Sequence, residues 1–469
     1  MANNKMWTPT LADTALPRYL ALVEAIALAI ECGELKVGER LPPQRRLAWN
    51  LGLNPSTTQQ AYREAAARHL VAGEVGRGTY VLAGSREATL FRLKQPGPQP
   101  AQIDLSTNVP AVDDASPDLA ATLRHLLGQG DTHQLEHYLG AEQLLRARVH
   151  GAAWLNRRGL QLSAQQVLLC GGAQHGVFSV LLSLCQAGDA VLVEALTAPG
   201  IKAACRQLRL PLHGIAMDGQ GILPDDLDRV ARATGARVVV LTPTLQNPTG
   251  ACMGAARQAA VAAVIERHAL TLIEDDVYGA LTDTPALMTK VGARGVLVSS
   301  LSKSVAAGLR LGWIVACPAL LERIDPHAQA THWPVSPLDL AIACRWIDDG
   351  TAARRVAWQR EEVLQRWRMA KRVLGSALAG DMPSPHVWVH GLLADACREA
   401  GVAVVPAEVF AVKQSDVPAV RISLSAARSR VELKQALERV AGEFNRNIRS
   451  ETATTLPTLN LPPQPRKPA

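Results

Sequence analysis

Short apolar runs alternate with helical stretches between residues 104 and 445, and this alternation limits the possible folds more than any other feature. A strand that is buried on both faces of a sheet has a nearly continuous apolar sequence, as these runs do. Strands separated by helices are typical of βαβ units, whose strands are parallel. We therefore predict an α/β fold around a mainly parallel sheet. The runs are Val167–Cys170, Ala190–Val193, Val238–Leu241, Leu270–Ile273 and Val296–Val298.

The composition is that of a globular protein, with 48% hydrophobic and 19% charged residues. The chain has no apolar run of about 18 residues, and its first residues, MANNKMWTPT, lack the apolar core of a secretory signal. We therefore expect a cytoplasmic protein that does not enter a membrane. The 8 cysteines are scattered and form no CxxC pair, so we expect neither a metal site nor disulfides.

Two segments of different composition divide the chain. Residues 83–103 end in PGPQP, which cannot continue a helix and predicts a linker. The last residues contain TLPTLNLPPQPRKPA, whose prolines and lack of periodicity predict a disordered tail. The expected organisation is an N-terminal domain at residues 1–82, a linker at 83–103, a large domain at 104–445 and a tail at 446–469.

The N-terminal domain is predicted to contain three helices and a hairpin. Residues 17–30 place apolar side chains on one helical face. Pro42 and Pro43 suit the first turn of a second helix, and Ser56 with Gln59 forms an S-x-x-Q capping box for a third. A tight hairpin follows. This order predicts a winged helix-turn-helix, whose third helix lies in a DNA major groove.

The candidate DNA contacts are small, polar or basic. Arg45 and Arg46 lie where the second helix would cross the DNA backbone, and Arg77 at the hairpin tip can reach a minor groove. Residues 36–80 hold seven basic and three acidic residues, which favours a polyanionic partner. A small protein-interaction domain is the alternative. The first turn of the third helix would present Ser56, Thr57, Thr58 and Gln60 to phosphates or base edges.

Part of this domain matches a known pattern, namely LPPQRRLA at residues 41–48, Thr57, Ala61–Tyr62 and GRGTYV at residues 76–81. These residues resemble the winged helix of the GntR family, over residues 15–82. The resemblance implies that Arg45, Thr57 and the glycine-rich hairpin tip, which includes Gly78, contact double-stranded DNA. Arg46 stands at a position that is usually acidic in that family.

The strongest chemical motif of the large domain is SSLSK at residues 299–303, followed by GLRLG at residues 308–312. Lys303 ends a buried strand, where an amine is costly unless it is paired or used covalently. A phosphate-bearing aldehyde needs an amine for a Schiff base, and it needs hydroxyl and guanidinium donors for its phosphate. Ser300, Ser302 and Arg310 offer those donors. The alternative is an exposed lysine in a serine-rich loop.

Three further motifs follow predicted strands. TPTLQNPTG at residues 242–250 offers Asn247 as a donor to a ring oxygen, although a plain turn is the alternative. EDDVY at residues 274–278 offers a carboxylate that can pair with a pyridine nitrogen, with Tyr278 in reach of the same ring. Its alternative is a helix N-cap beside a core tyrosine. GGAQ at residues 171–174 opens an apolar helix whose free N–H groups form an anion site.

All four motifs follow the carboxyl ends of predicted parallel strands, where open α/β sheets bind ligands. Pro243 and Asp275 are 32 residues apart, and Asp275 and Lys303 are 28 residues apart. Each spacing suits one βαβ crossover. We therefore expect the four motifs to share one crevice.

Together the motifs resemble the fold-type-I aminotransferases that bind pyridoxal 5′-phosphate (PLP), over residues 104–445. The resemblance implies a smaller C-terminal subdomain and a covalent bond between PLP and Lys303, the catalytic lysine. It implies that Arg421 binds a substrate carboxylate, whereas the sequence alone favours a surface arginine on an edge strand. The implied cofactor contacts are Asp275 on the pyridine nitrogen, Asn247 and Tyr278 on the ring hydroxyl, and Ser300, Ser302, Arg310, Gly172, Ala173 and Gln174 on the phosphate.

A GntR-type winged helix ahead of an aminotransferase-like domain resembles the MocR subfamily of regulators. The resemblance implies a head-to-tail homodimer that binds PLP and operator DNA and senses a small amino compound. Ala198 departs from the pattern, because the family usually has an aromatic residue there that stacks on the pyridine ring. His175 or a partner residue is a hypothesis for what covers the ring, and Tyr138 is a hypothesis for a tyrosine that enters the neighbouring subunit.

Three functions are compatible with these motifs. The leading hypothesis is a PLP-dependent, DNA-binding transcription regulator. The alternative is an active PLP-dependent aminotransferase with an appended DNA-binding domain, and a third is a regulator whose large domain only dimerises. The complete set of Lys303, Asp275, Asn247 and Arg310 argues against the third. Ala198 predicts weak or absent transamination.

Overall fold

Two compact units, Met1–Gly97 and Pro98–Ala469, make up the computed structural model of the chain. The structure describes residues 7–11, 17–31, 34–35, 39–67, 70–74, 78–81, 102–128, 130, 132–331, 335–413 and 418–454.

The first unit is a winged helix-turn-helix, as predicted. Its helices and hairpin enclose one apolar core around Leu22, Ile26, Leu47 and Tyr62. The two hairpin strands pair in antiparallel register. The elements are α1 (Arg18–Glu31), α2 (Gln44–Asn50), α3 (Pro55–Ala67), β1 (Val71–Glu74) and β2 (Gly78–Val81).

Helix α3 begins earlier than the predicted capping box requires. The Asn54 side-chain oxygen accepts hydrogen bonds from the backbone N–H and the hydroxyl of Ser56, at 3.0 and 2.8 Å. Asn54 therefore caps the helix, and Pro55 takes the first helical position, which suits proline. The capping box between Ser56 and Gln59 was wrong, because the Ser56 hydroxyl is donated backwards to Asn54.

The second unit alternates strands and helices and then ends in a smaller subdomain. Its first elements are β3 (Ile103–Asp104), α4 (Asp118–Gly128), α5 (Ala141–Leu155), β4 (Val167–Cys170), α6 (Ala173–Leu184), β5 (Val191–Glu194), α7 (Pro199–Gln207), β6 (Leu212–Ile215), β7 (Met217–Asp218), β8 (Gly221–Ile222), α8 (Pro224–Thr234), β9 (Val238–Leu241), α9 (Ala255–Arg267), β10 (Thr271–Asp275), α10 (Met288–Val291), β11 (Gly295–Ser300), β12 (Gly312–Val315) and α11 (Pro318–Thr331). Its later elements are α12 (Pro337–Asp348), α13 (Thr351–Leu374), β13 (Leu378–Ala379), β14 (His386–His390), α14 (Ala394–Glu399), β15 (Val402–Ala403), β16 (Val405–Pro406), β17 (Ala419–Ser423) and α15 (Arg430–Thr454).

Seven strands form the central sheet, in the order β4-β12-β11-β10-β9-β5-β6. The pairs from β11 to β6 are parallel, and β12 runs antiparallel to both β11 and β4. Successive residues of one strand enter different cores, as Val239 and Val240 do on the two faces of the sheet. The runs are continuous because both faces are covered, and the prediction of a mainly parallel sheet is confirmed.

The smaller C-terminal subdomain contains a four-stranded antiparallel sheet in the order β13-β14-β17-β16. Its core includes Val387, Ile422 and Leu437 together with Leu105, which follows β3. Helix α15 continues to Thr454, so the start of the predicted tail at residue 446 is helical. Residues 455–469 lie outside the described residues.

Candidate functional site

The four predicted motifs meet at one edge of the central sheet. Residues 171–174 follow β4, residues 242–250 follow β9, Asp275 is the last residue of β10, and Lys303 follows β11. These four strands run in the same direction, because β12 is antiparallel to both β11 and β4. The crevice at their carboxyl ends is therefore lined by all four motifs.

Lys303 is hydrogen-bonded to the segment that follows β3. Its Nζ donates a hydrogen bond to the backbone carbonyl of Asn108 at 2.5 Å. Burial lowers the pKa of Lys303 to about 8, and the positive charges of Arg421 and Arg310 act in the same direction. Asp275 opposes the shift. A large fraction of this amine is therefore neutral near pH 8, and the neutral amine is the nucleophilic form.

Asp275 presents an unpartnered carboxylate oxygen. Its Oδ1 is buried and has no hydrogen-bond partner among the described residues. Burial raises the pKa of Asp275 to about 7, and the neighbouring charge of Asp276 raises it further, while Lys303 and the Val277 N–H lower it. A cationic ring N–H would donate a hydrogen bond to this oxygen and would also neutralise the buried negative charge.

The two acidic neighbours of Asp275 are used within the protein. Asp276 accepts hydrogen bonds from the buried Arg158 guanidinium, with Nη2 at 2.9 Å and Nε at 3.0 Å. Glu274 accepts from the backbone N–H groups of Leu287 and Met288, at 3.0 and 2.7 Å. Burial raises the pKa of both Glu274 and Asp276. Asp275 is thus the member of the acidic triplet that can pair with a ligand.

Arg421 lies in β17, between β14 and β16, and is 4% exposed. Its Nη1 donates to Asn247 Oδ1 at 3.0 Å, and its Nη2 donates to the Ser106 carbonyl. Its Nε is buried without a partner among the residues that the structure describes. Burial lowers the pKa of Arg421 to about 10. The interpretation as a surface arginine on an edge strand was wrong, because β17 is paired on both sides.

The start of helix α6 forms an anion cradle. Gly172 precedes the helix with φ +87°, and a Cβ at this position would lie 2.9 Å from an Arg310 guanidinium nitrogen. Arg310 Nη1 donates to Ser302 Oγ at 3.3 Å, and Ser300 is buried at the end of β11. The helix start, the Arg310 guanidinium and the Ser302 hydroxyl therefore lie side by side, a set of donors that suits an anion. The Gln174 side chain instead donates to the Gly200 carbonyl at 2.8 Å, which leaves its backbone for an anion.

Asn108 and His386 are two site residues that the sequence did not indicate. Asn108 Nδ2 donates to the Tyr278 hydroxyl oxygen at 2.8 Å and lies 3.3 Å from His386 Nδ1. His386 is fully buried in β14. The signals in the sequence were a histidine in the otherwise apolar run HVWV and a polar residue shortly after a strand, and both patterns are common.

Three residues were considered in the sequence for covering or approaching the pyridine ring of PLP, and their surroundings differ. Ala198 precedes helix α7 and is partly buried against the core. His175 Nδ1 accepts from the Gly171 N–H at 3.1 Å, and its Nε2 lies 2.8 Å from Thr331 Oγ1. Both ring nitrogens of His175 are thus engaged within the chain. Tyr138 is 78% exposed.

The predicted DNA contacts of the first unit are mostly at its surface. Arg45, Arg46, Ser56 and Gln60 are exposed, and Thr57 is half-buried. Gly78 starts β2, whereas Arg77 lies outside the described residues.

Thr58 was wrongly placed among the DNA contacts, because its side chain is completely buried. Thr58 shares one helical face with Ala61, Tyr62 and Ala65, at the spacing of a buried stripe. Gln59 and Arg63 are exposed on the same helix and were not predicted as contacts. Both residues lie outside the helical face that carries the buried residues, so the helical spacing of the sequence could have indicated that they are exposed.

Within the described part of the chain, no helix combines the length and apolar character needed to cross a bilayer. The same residues contain no cluster of three or more histidine, cysteine, aspartate or glutamate side chains that could hold a metal ion.

Residues 100–440 match the family described as aminotransferase class I and II, and residues 18–81 match the bacterial regulatory proteins of the gntR family. The chain is 28% identical over 443 residues to the uncharacterized HTH-type transcriptional regulator YdeF of Bacillus subtilis, covering 92% of this chain and 95% of that protein. It is 28% identical over 331 residues to the vitamin B6 salvage pathway transcriptional repressor PtsJ of Salmonella typhimurium, covering 69% and 74%. The fold is similar to that of an archaeal alanine:glyoxylate aminotransferase, with a TM-score of 0.68 at 21% identity, over 74% of this chain and 91% of that one.

Proposed function

Because the chain belongs to the aminotransferase class I and II family and carries a gntR-family winged helix in front of that domain, as MocR-type regulators do, we propose that it is a PLP-dependent transcription regulator. It binds operator DNA through residues 1–82 and senses a small amino compound through residues 104–445, with residues 83–103 as the linker. Regulators of vitamin B6 genes among its relatives support PLP as the cofactor.

The observation that carries this proposal is the presence of Lys303 and Asp275 in one crevice, where each charge affects the pKa of the other. PLP, when bound, supplies an aldehyde that reacts with primary amines and a pyridine ring that withdraws electrons. The Lys303 amine, with its lowered pKa, is the group that would attach it. Asp275 Oδ1 would hold the ring nitrogen, while Asn247 and Tyr278 would hold the ring oxygen.

The anion cradle and Arg421 would fix the two charged ends of the site. Ser300, Ser302, Arg310 and the backbone at the start of α6 would hold the phosphate. Arg421 carries a buried positive charge and an unpartnered Nε, so it would hold the carboxylate of an amino acid ligand. A ligand with both an amine and a carboxylate satisfies both ends, and we propose this class as the effector.

We also propose that the regulator acts as a homodimer, arranged head to tail. The consecutive helices α4 and α5 each carry exposed apolar side chains, and exposed apolar surface is often covered in larger assemblies. Tyr138 is exposed in the segment between the same helices, where it could enter the site of a second copy. The exposed apolar residues are Leu119, Leu127, Leu145 and Val149.

The test combines two measurements on the full chain. Amino acids are screened for changes in the visible spectrum of the PLP-loaded protein and, in parallel, for changes in its affinity for DNA from its own promoter. We expect at least one amine to change both. Loaded protein that binds promoter DNA with the same affinity at all amine concentrations would contradict sensing, and protein that takes up no PLP would contradict the cofactor.

A working aminotransferase is the second candidate, favoured by the intact set of Lys303, Asp275 and Arg421. The deciding observation is sustained turnover with 2-oxoglutarate or pyruvate as acceptor. Rates on the order of 1 per second, which are typical of enzymes, would favour the enzyme.

A further inference from the structure

We propose that His386 is a positioning residue that fixes the direction of the hydrogen bonds at the Tyr278 hydroxyl. The proposal rests on the proposed PLP site, since Tyr278 is the group assigned there to the ring oxygen. His386 lies in β14 of the smaller subdomain, and its ring centroid is 5.2 Å from that of Tyr278. It reaches the site through one intermediate residue, Asn108.

The contacts of His386 define which of its nitrogens carries a proton. Nε2 lies 2.9 Å from the backbone carbonyl of Gln246, which can only accept, so Nε2 is protonated. Burial lowers the pKa of His386 to about 3, and the positive charges of Arg421 and Lys303 lower it as well. The imidazole is therefore neutral near pH 7, and Nδ1 is an acceptor.

The acceptor at Nδ1 sets the orientation of the Asn108 amide. Asn108 Nδ2 lies 3.3 Å from Nδ1, so the amide nitrogen and not the oxygen faces His386. The second hydrogen of this nitrogen is donated to the Tyr278 oxygen at 2.8 Å. Because that oxygen already accepts, the Tyr278 hydrogen is free to be donated to another acceptor, which in the proposed site is the ring oxygen of the cofactor.

Removal of His386 would remove this constraint. The Asn108 amide could then rotate and present its oxygen to Tyr278, which would donate to Asn108 and be lost as a donor to the cofactor. A phenolate-type ring oxygen with one donor fewer holds its negative charge less well and binds a nearby proton more tightly. Arg421 and Lys303 are the charged groups that act on His386, and the substitution changes neither of them.

The experiment measures the pH at which the visible absorbance of the PLP-loaded full chain changes. We expect His386→Phe to raise this midpoint by about 1 to 2 pH units, the size of one hydrogen bond to a charged acceptor. His386→Gln keeps a donor for Gln246 and an acceptor for Asn108, and should restore the wild-type midpoint. His390→Phe, on an exposed position of the same strand, is the matched control and should change nothing.

A second measurement needs no loaded protein and no stable Phe variant. In 15N-histidine NMR spectra, the signals that His386→Gln removes should show a neutral, Nε2-protonated imidazole from pH 5 to 9. A titrating or Nδ1-protonated His386 overturns the proposal, as does an unshifted midpoint in a folded His386→Phe protein that still turns yellow. Wild-type protein that never takes up PLP would overturn both this inference and the proposed function.

Discussion

Lys303 and Asp275 show how burial prepares single residues for chemistry. Burial is the largest cause of both pKa shifts, and it moves each group toward its neutral form. The lysine is thereby a nucleophile at lower pH than a lysine in water, and the aspartate gains most from a cationic partner. Burial of either charged side chain alone carries a desolvation cost. A bound PLP would offset both costs, because its aldehyde takes up the amine and its ring nitrogen pairs with the carboxylate.

The attachment of PLP should follow the titration of Lys303. Its pKa of about 8 means that the neutral fraction of the amine rises about 25-fold between pH 6.5 and 8.5 and then levels off. The rate of the visible absorbance change after mixing with PLP should show this profile. A rate that keeps rising up to pH 10 would indicate an ordinary, solvated lysine, and Lys303→Ala should abolish the covalent product trapped by borohydride.

Thr58 allows a stability prediction. Its buried hydroxyl has no hydrogen-bond partner among the described residues, so it carries a desolvation cost without compensation. Thr58→Val keeps the shape and should raise the free energy of unfolding of the first unit by about 1 kcal/mol. Chemical denaturation of the full chain measures this. Operator affinity should stay unchanged, whereas the matched Thr57→Val should weaken DNA binding and leave stability within about 0.5 kcal/mol.

At the scale of elements, the sequence was informative wherever local pattern decides the structure. The continuous apolar runs gave the parallel strands to within a residue or two, because a strand covered on both faces cannot alternate. The small subdomain was different. The interior position of β17, and so the burial of Arg421, depends on pairing with β14 and β16. His386 and Asn108 meet because distant segments are brought together, and no local pattern encodes that.

Helix α2 and the first turn of α3 should carry the DNA affinity of the first unit. Arg45→Ala should weaken operator binding and reduce the dependence of log K on log salt by about 1, because one phosphate contact is lost. Gln60→Ala should weaken binding in a way that depends on the DNA sequence. The control is Arg372→Ala, an exposed arginine on α13, which should leave both quantities unchanged.

At the scale of the whole molecule, amine binding and transamination require the pyridine ring of PLP to be held with different precision. Exchange of amines at the cofactor needs only a nucleophile and the aldehyde carbon, whereas turnover needs a ring that is held in a fixed plane. Ala198 offers no aromatic face, and His175 is held by Gly171 and Thr331. We therefore expect this protein to bind and exchange amines at the cofactor while transamination is slow or absent.

Introducing an aromatic residue at position 198 should move the balance toward an enzyme. Ala198→Tyr should tighten PLP binding about fivefold, the equivalent of a stacking contact of about 1 kcal/mol, and raise the rate of the half-reaction with amino acids. PLP affinity and single-turnover absorbance changes measure the two effects. Ala198→Ser adds no ring and should behave like the wild type. Equal affinities for the Tyr variant and the wild type would mean that another group already covers the ring face.

The segment around Ser106 and Asn108 occupies groups that the proposed ligands would use. The Ser106 carbonyl accepts from Arg421, and the Asn108 carbonyl accepts from Lys303 Nζ. The Ser106 carbonyl belongs to the same polypeptide as Arg421, so it competes with an effector carboxylate at a high effective concentration. The site therefore has a threshold: an amino acid must outcompete the chain before it is detected. Displacement of the Ser106 carbonyl from Arg421 would release one anchor of this segment, while the contact of Lys303 with Asn108 responds to the cofactor.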